Sequence, residues 1–180
     1  MRTIIHKWFW AWEFEEEEAW LNDMARHGKA LLSARYATYE FEDSAPGEYA
    51  IRLEMLEDSP AGEAGRQYLS FVEETGAEYV GRVLKWVYFR KRAADGPFAL
   101  HGDNATRIRH LKRIMHLIIV LFIMEAPVCF ANLSIAIGVG SAINLGCAVL
   151  CGAVAGLLVR GYIKLNERKK RLERDAQLFE

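Results

Sequence analysis

The chain has 180 residues, a formal net charge of −1 and three cysteines, all located after residue 128. Residues 1–106 hold 12 basic against 19 acidic side chains, whereas residues 107–180 hold 11 against 5. An acidic first part repels phosphate, so nucleic acid is excluded as its expected partner. Because the first part lacks cysteine, a disulfide framework and a thiolate zinc site are excluded there as well.

The N-terminal stretch combines a strand pattern with an unusual number of tryptophans. Residues 3–12 alternate in a way that predicts a strand with Trp8, Trp10 and Trp12 on one face. We expect such a large apolar face to contact a second sheet, another subunit or a ligand.

An acidic run at residues 13–18 follows and predicts the start of a helix, because carboxylates suit the positive end of a helix dipole. Gly28 is a typical residue to end that helix. We interpret the glutamates as a solvated helix start rather than as a metal or acid–base site.

The remaining pattern of the first part predicts a strand at 31–42, a strand at 49–56, a helix at 60–76 and a strand at 78–92. With the first strand and helix, this order is the βαββαβ arrangement of an α+β ferredoxin-like domain. We expect both helices to cover one face of the sheet and the aromatic face to remain open.

Residues 114–159 form a hydrophobic stretch of 46 residues whose single formal charge is Glu125. A helix needs roughly 20 apolar residues to cross a bilayer, so this length predicts a two-helix transmembrane hairpin. The predicted organisation is a cytoplasmic domain at 1–103, a basic linker helix at 104–113, a hairpin at 114–163 and a basic tail at 164–180. Lys and Arg lie on both flanks and not between them, which predicts that both termini are cytoplasmic.

Three features inside the hairpin predict further structure or function. Pro127 is expected to kink the first membrane helix or to mark its outer end. Glu125 lies deep in the bilayer, where it stays protonated and bonds a neighbouring helix, snorkels, or serves a function such as lining a pore in an oligomer. Ala148, Gly152 and Gly156 form a small-residue ridge, which predicts close helix packing within the hairpin or between subunits.

Several short segments of the first part resemble one bacterial family, the domain of unknown function 2812. The residues that carry the resemblance are Glu17, Glu18, Trp20, Leu21, Asn22, Met24, Gly28, Tyr39, Glu40, Phe41, Glu42, Pro46, Tyr49, Arg52, Tyr68, Glu74, Gly76, Tyr88, Phe89, Arg90 and Lys91. The resemblance covers residues 1–103, and the hairpin behind them is similar to that of family members. It implies a protein of the bacterial cytoplasmic membrane, in a family often encoded beside PadR-type transcriptional regulators. The family has no established activity, so no catalytic residue is implied.

No motif for catalysis, for a metal or for a cofactor is found, since HExxH, GxGxxG, GxxxxGK[ST] and GxSxG are all absent. We therefore expect a membrane-anchored interaction or sensory and regulatory module, which associates with itself or with a protein partner through its aromatic face. The alternative is a small-molecule-binding or enzymatic domain, in which two sheets close into an α/β barrel. Tyr36, Tyr39, Trp86 and Tyr88 would then line the ligand site. The identity of partner, ligand or signal is not encoded in any motif.

Overall fold

The computed structural model describes residues 1–100 and 104–177, with side chains described for 1–100 and 107–174. The chain forms two compact units, Met1–Gly102 and Asp103–Glu180. The predicted domain boundary at residue 103 and the end of the predicted tail at 178–180 lie outside the described residues.

The first unit contains six strands and two α-helices. In chain order they are β1 (Arg2–His6), α1 (Phe14–Arg26), β2 (Lys29–Arg35), β3 (Thr38–Asp43), β4 (Tyr49–Met55), α2 (Glu63–Glu74), β5 (Glu78–Val83) and β6 (Trp86–Arg92). The strands form one sheet in the order β1-β3-β2-β5-β6-β4, in which only the β2–β5 pair is parallel. The α+β class is confirmed, but the ferredoxin-like strand order is not the one observed.

The difference arises at two hairpins that the sequence pattern does not reveal. The predicted strand at 31–42 turns back at Tyr36 and Ala37, and the predicted strand at 78–92 turns back at Leu84 and Lys85. One residue in each turn has a positive φ, 50° at Ala37 and 55° at Leu84. Neither turn contains the glycine, asparagine or aspartate that normally signals this conformation.

The predicted first strand is also shorter than expected. It leaves the sheet after His6, and a 3₁₀ turn at Ala11–Glu13 leads into α1. Trp8, Trp10 and Trp12 therefore lie outside the ladder, so the predicted tryptophan face of a strand is wrong.

The first unit consists of two βαββ halves related by a shift of 48 residues. Gly28 and Gly76 follow the two helices with positive φ angles, and bulges interrupt the hairpins between Leu31 and Ser33 and between Tyr79 and Gly81. The sheet order within the halves, β1-β3-β2 and β4-β6-β5, is the same. The halves meet through the parallel pair β2–β5. The rotation axis that relates them is therefore parallel to the strands. A rotation about this axis places equivalent residues of the two halves on opposite faces of the sheet.

The two helices consequently lie on opposite faces, which corrects the expectation of one covered and one open face. Trp86 and Tyr88 of β6 contact α1, through the Phe14 ring and the Glu17 carboxylate respectively. Val87 and Phe89, which alternate with them along the strand, pack in a cluster with Val72 of α2 and with Leu56, Ala77 and Phe98. Both faces therefore contribute to the core.

The seam between the halves is held by a close backbone approach and by one arginine. Gly81 has a φ of 144°, and a Cβ atom there would lie 2.3 Å from the carbonyl oxygen of Ala34. Arg90 donates to the Leu31 carbonyl of β2 at 3.1 Å and pairs with Glu42 and Glu78, each at 2.7 Å. Its hydrogen bonds with these two carboxylates raise the pKa of Arg90 against the opposing effect of burial.

The second unit is a helical hairpin of α3 (Asn104–Val139) and α4 (Ala142–Gln177). Pro127 lies inside α3, which continues to Val139, so the expectation that Pro127 marks the outer end of the helix is wrong. Gly140 ends α3 with a φ of 71°, and the Ser141 hydroxyl accepts from the Asn144 N–H at the start of α4. Both helices are long and apolar enough to span a membrane by length and composition.

Candidate functional site

The core of the first unit contains a buried carboxylate on α1. Apolar residues at 14, 21 and 25 form the buried stripe of the helix, and Glu17 occupies the same stripe with 8% exposure. One of its oxygens, Oε1, accepts from the Tyr39 hydroxyl at 2.6 Å and from the Tyr88 hydroxyl at 2.7 Å. The Glu17–Tyr39–Tyr88 cluster thus joins α1 to β3 and β6.

Burial sets the protonation behaviour of this cluster. It raises the pKa of Glu17, although the two tyrosine hydrogen bonds act in the opposite direction. Burial next to the Glu17 carboxylate also raises the pKa of both phenols well above the ordinary tyrosine value, so they remain neutral donors. Neutral phenols are poor nucleophiles, and the cluster is chemically suited to hold a proton inside the core.

Aromatic rings enclose the cluster. Trp20 packs edge-on against Tyr39 with ring centres 5.1 Å apart, and Phe14 lies 5.3 Å from Trp86. Tyr39, Trp86 and Tyr88, which were predicted to line a ligand site, are buried against α1. In residues 1–100 and 107–174, no group of three or more His, Cys, Asp or Glu side chains is placed to hold a metal ion.

Two further polar side chains of α1, Asn22 and Glu18, cover the outer edge of β4. Asn22 donates to the Ile51 carbonyl and accepts from the Ile51 N–H, each at 2.9 Å. Glu18 accepts from the Leu53 N–H at 2.9 Å and pairs with Arg52 at 3.1 Å. Burial raises the pKa of Glu18, while the hydrogen bonds from Leu53 and Arg52 and the charge of Arg52 oppose the rise. These two side chains replace the strand that β4 lacks.

Three exposed aromatic residues of the first unit lie together at one end of the sheet. Trp8, Trp10 and Tyr36 are 49%, 39% and 65% exposed, and together they form what we call the aromatic end cluster. The Trp8 ring meets Trp10 at 5.4 Å and Tyr36 at 5.2 Å, both edge-on. Lys7 donates its N–H to the Ala37 carbonyl, which holds the cluster beside the β2–β3 turn.

The predicted set of aromatic site residues is therefore divided between two places. Trp8, Trp10 and Tyr36 are exposed together, whereas Trp12 turns into the core and stacks on Trp10 at 5.2 Å. The remaining three, Tyr39, Trp86 and Tyr88, belong to the packing under α1. Glu17 was not predicted to be buried, although its place in the apolar stripe of α1 was a usable signal.

Glu125 and two of the three predicted small residues of the hairpin lie along the contact between α3 and α4. Glu125 of α3 lies close to the Cys151 thiol of α4. The Cys129 thiol donates to the Ala148 carbonyl at 3.4 Å, and a Cβ at Gly152 would lie 3.9 Å from the Cys129 sulfur. A Cβ at Gly156 would meet no atom within 4 Å. Two of the three ridge residues thus face α3.

Fold and composition define the class of protein as a mixed α+β domain followed by a helical hairpin that is long and apolar enough to cross a membrane. A family described as "Protein of unknown function (DUF2812)" matches residues 13–123. The chain belongs to this family, as the resemblance predicted. The match extends into α3 and leaves β1, Trp8 and Trp10 outside it. No curated protein and no solved structure matches the chain.

Proposed function

We propose that the protein is a membrane-anchored interaction module that binds a protein partner through its aromatic end cluster. The hairpin holds it in the bacterial cytoplasmic membrane, with both termini in the cytoplasm. The observation that carries the proposal is the exposure of Trp8, Trp10 and Tyr36 as one contiguous group. Exposed aromatic groups of this kind are typical of binding surfaces, because Trp and Tyr lose little conformational entropy on binding.

The surface of the hairpin supports the membrane anchor. Large apolar side chains such as Phe130, Ile137 and Ile143 are largely exposed in the second unit. A helix of a soluble core would bury them, whereas lipid solvates them without penalty. Basic residues precede the apolar part of α3 and follow that of α4, which supports two cytoplasmic ends.

Burial of the other aromatic residues favours this proposal over a ligand-binding or enzymatic barrel. Such a barrel needs Tyr39, Trp86 and Tyr88 around an open site, but α1 packs onto all three. The aromatic end cluster keeps its aromatic area available to a partner without any rearrangement of the core.

The test is purification of the full-length protein from its native membranes in mild detergent, with the mass of the complex and its proteins identified. We expect a stoichiometric partner that is reduced at least roughly tenfold by Trp8→Ser with Trp10→Ser, because aromatic anchors carry a large share of interface energy. Phe71→Ser is the matched control, since Phe71 is an exposed aromatic residue on α2, outside the aromatic end cluster. Equal loss in the control would contradict a role of the aromatic end cluster.

Lipid is the competing occupant of the cluster. In partner-free nanodiscs, quenching of Trp8 and Trp10 fluorescence by brominated lipid would show that the cluster rests in the headgroup region, where Trp and Tyr also accumulate. That result would replace the protein partner with the bilayer itself.

A further inference from the structure

The two outer edges of the sheet are treated differently by the fold. The backbone of β4 is covered by Asn22 and Glu18 from α1. The 48-residue shift between the halves places Arg66 and Ser70 of α2 at the corresponding positions. Arg66 instead donates to the Ala61 carbonyl beside the start of its own helix, and Ser70 is exposed. The cover found on one edge is therefore not repeated on the other.

The hydrogen bonds at both ends of β1 define which of its backbone groups face outward. Met1 accepts from the Asp43 N–H at 3.2 Å, and Lys7 donates to the Ala37 carbonyl at 3.1 Å, so the odd-numbered residues bond to β3. Antiparallel ladders alternate, and the N–H and C=O groups of Arg2, Ile4 and His6 consequently point away from the sheet. Within residues 1–100, no side chain is hydrogen-bonded to these groups.

This edge is prepared for strand pairing in three further respects. The register between β1 and β3 is unbroken, whereas the β2–β3 register contains a bulge. The Met1 amino group pairs with Asp43 at 2.8 Å, which places Met1 beside the end of β3. Ile4 is 61% exposed and no proline interrupts the strand. β1 thus lacks two devices that normally protect an open edge, a bulge and a proline.

We propose that the edge of β1 pairs with the same edge of a second copy of this chain, in antiparallel orientation and centred on Ile4. The outward residues are spaced symmetrically about Ile4, so a two-fold axis there aligns Ile4 with Ile4 and Arg2 with His6 of the other copy. Each aligned pair exchanges two backbone hydrogen bonds. The two isoleucine side chains meet at the centre and leave water together.

A second copy fits this edge better than an unrelated strand for two reasons. The pattern is self-complementary, as a two-fold interface requires. Two copies tethered to one membrane also meet at a high effective concentration, an argument that rests on the proposed membrane anchor. The hydrogen-bond geometry of the β1 edge does not depend on that anchor. The β1 edge is also a different surface from the aromatic end cluster.

The test is disulfide formation in membranes by full-length protein in which Cys129, Cys147 and Cys151 are replaced by alanine. Ile4→Cys places two thiols on Cα atoms about 5.5 Å apart, within the roughly 4.4–6.8 Å that a disulfide spans. Thr3→Cys is the matched control. In the proposed register the two Thr3 residues are offset along the strands by two residues, at roughly 3.4 Å each, so their Cα atoms lie farther apart than a disulfide spans. We expect at least roughly tenfold more cross-linked dimer for Ile4→Cys than for the control. Equal cross-linking at the two positions would overturn the pairing.

A second variant tests the hydrogen bonds themselves. Ile4→Pro removes an outward N–H and none that bonds to β3, and proline is tolerated on the open side of an edge strand. We expect a monomeric mass in detergent with an unchanged melting temperature of the first unit, while Ile4→Val remains dimeric. A dimer that survives Ile4→Pro, or a cross-link of Ile4→Cys to a different protein, would refute self-pairing. Either result leaves the proposal for the aromatic end cluster standing, because that proposal is tested at Trp8 and Trp10.

Discussion

Replacing Glu17 by glutamine tests the account of the buried carboxylate most directly. Both tyrosine hydroxyls donate to the same oxygen, Oε1, at 2.6 and 2.7 Å. The carbonyl oxygen of a glutamine side chain has two lone pairs and can accept both bonds. Glu17→Gln therefore removes the ionisable group and keeps the hydrogen bonds. We expect the variant to be more stable than the natural protein at neutral pH.

The pH dependence gives the magnitude and the sign of the stability difference between Glu17→Gln and the natural protein. Burial raises the pKa of Glu17 in the folded state. Above the unfolded value of about 4.3, the unfolded chain releases this proton more readily, so the natural protein loses stability as the pH rises. The variant lacks this loss. Its advantage should grow by up to about 1.4 kcal/mol per pH unit above pH 4.3 and level off once the pH exceeds the folded pKa.

Tryptophan fluorescence provides the assay, because all five tryptophans lie in the first unit. Denaturant unfolding of the full-length protein in detergent, between pH 4.5 and 8, reports the free energy of unfolding of that unit. Glu18 also has a raised pKa, but it is present in both proteins and cancels in the difference. A difference that stays flat with pH, or that favours the natural protein as the pH rises, would refute the reasoning. As a control, Glu17→Leu leaves two buried hydroxyls without their acceptor and should cost about 1–3 kcal/mol for each.

Three further predictions concern the edge, the seam and the hairpin. Asn22→Leu should lower the free energy of unfolding by about 1–3 kcal/mol, because two hydrogen bonds to the β4 edge are lost; an unchanged denaturant midpoint would contradict the edge cover. Gly81→Ala should destabilise the first unit far more than Gly47→Ala. Both glycines have positive φ, but only at Gly81 would the added Cβ meet backbone atoms of β2. The reverse order of denaturant midpoints would exclude the seam contact. Gly152→Leu should increase amide hydrogen exchange in α3 and Gly156→Leu should not, because Gly152 approaches α3 and Gly156 does not. Equal effects would contradict the close packing of Gly152 against α3.

The strand pattern shows how far sequence reasoning reaches in the first unit. Alternation predicted extended chain at 31–42 and 78–92, and most of these residues are in strands. It could not reveal the turns at Ala37 and Leu84, because both adopt positive φ without a glycine or asparagine. Each hairpin therefore looks like one long strand, and the βαββαβ prediction follows from that error.

The fate of the glutamates in α1 shows a different limit. The acidic run suggested a solvated helix start, yet Glu17 lies in the apolar stripe and Glu18 reaches the β4 backbone. Helical spacing alone would have placed Glu17 inward. Its partners, Tyr39 and Tyr88, lie 22 and 71 residues away, and nothing local in the sequence connects them.

The sequence by itself determined the α+β class, the two long apolar helices and the family, because each depends on local composition or on residues read in order. Only the tertiary structure decided which faces of the sheet are covered and which aromatic side chains remain exposed. The physical reason is the parallel pairing of β2 with β5, a contact between distant segments that exchanges the faces of the two halves. That pairing puts α1 over Tyr39 and Tyr88, while Trp8, Trp10 and Tyr36 stay in solvent at the end of the sheet.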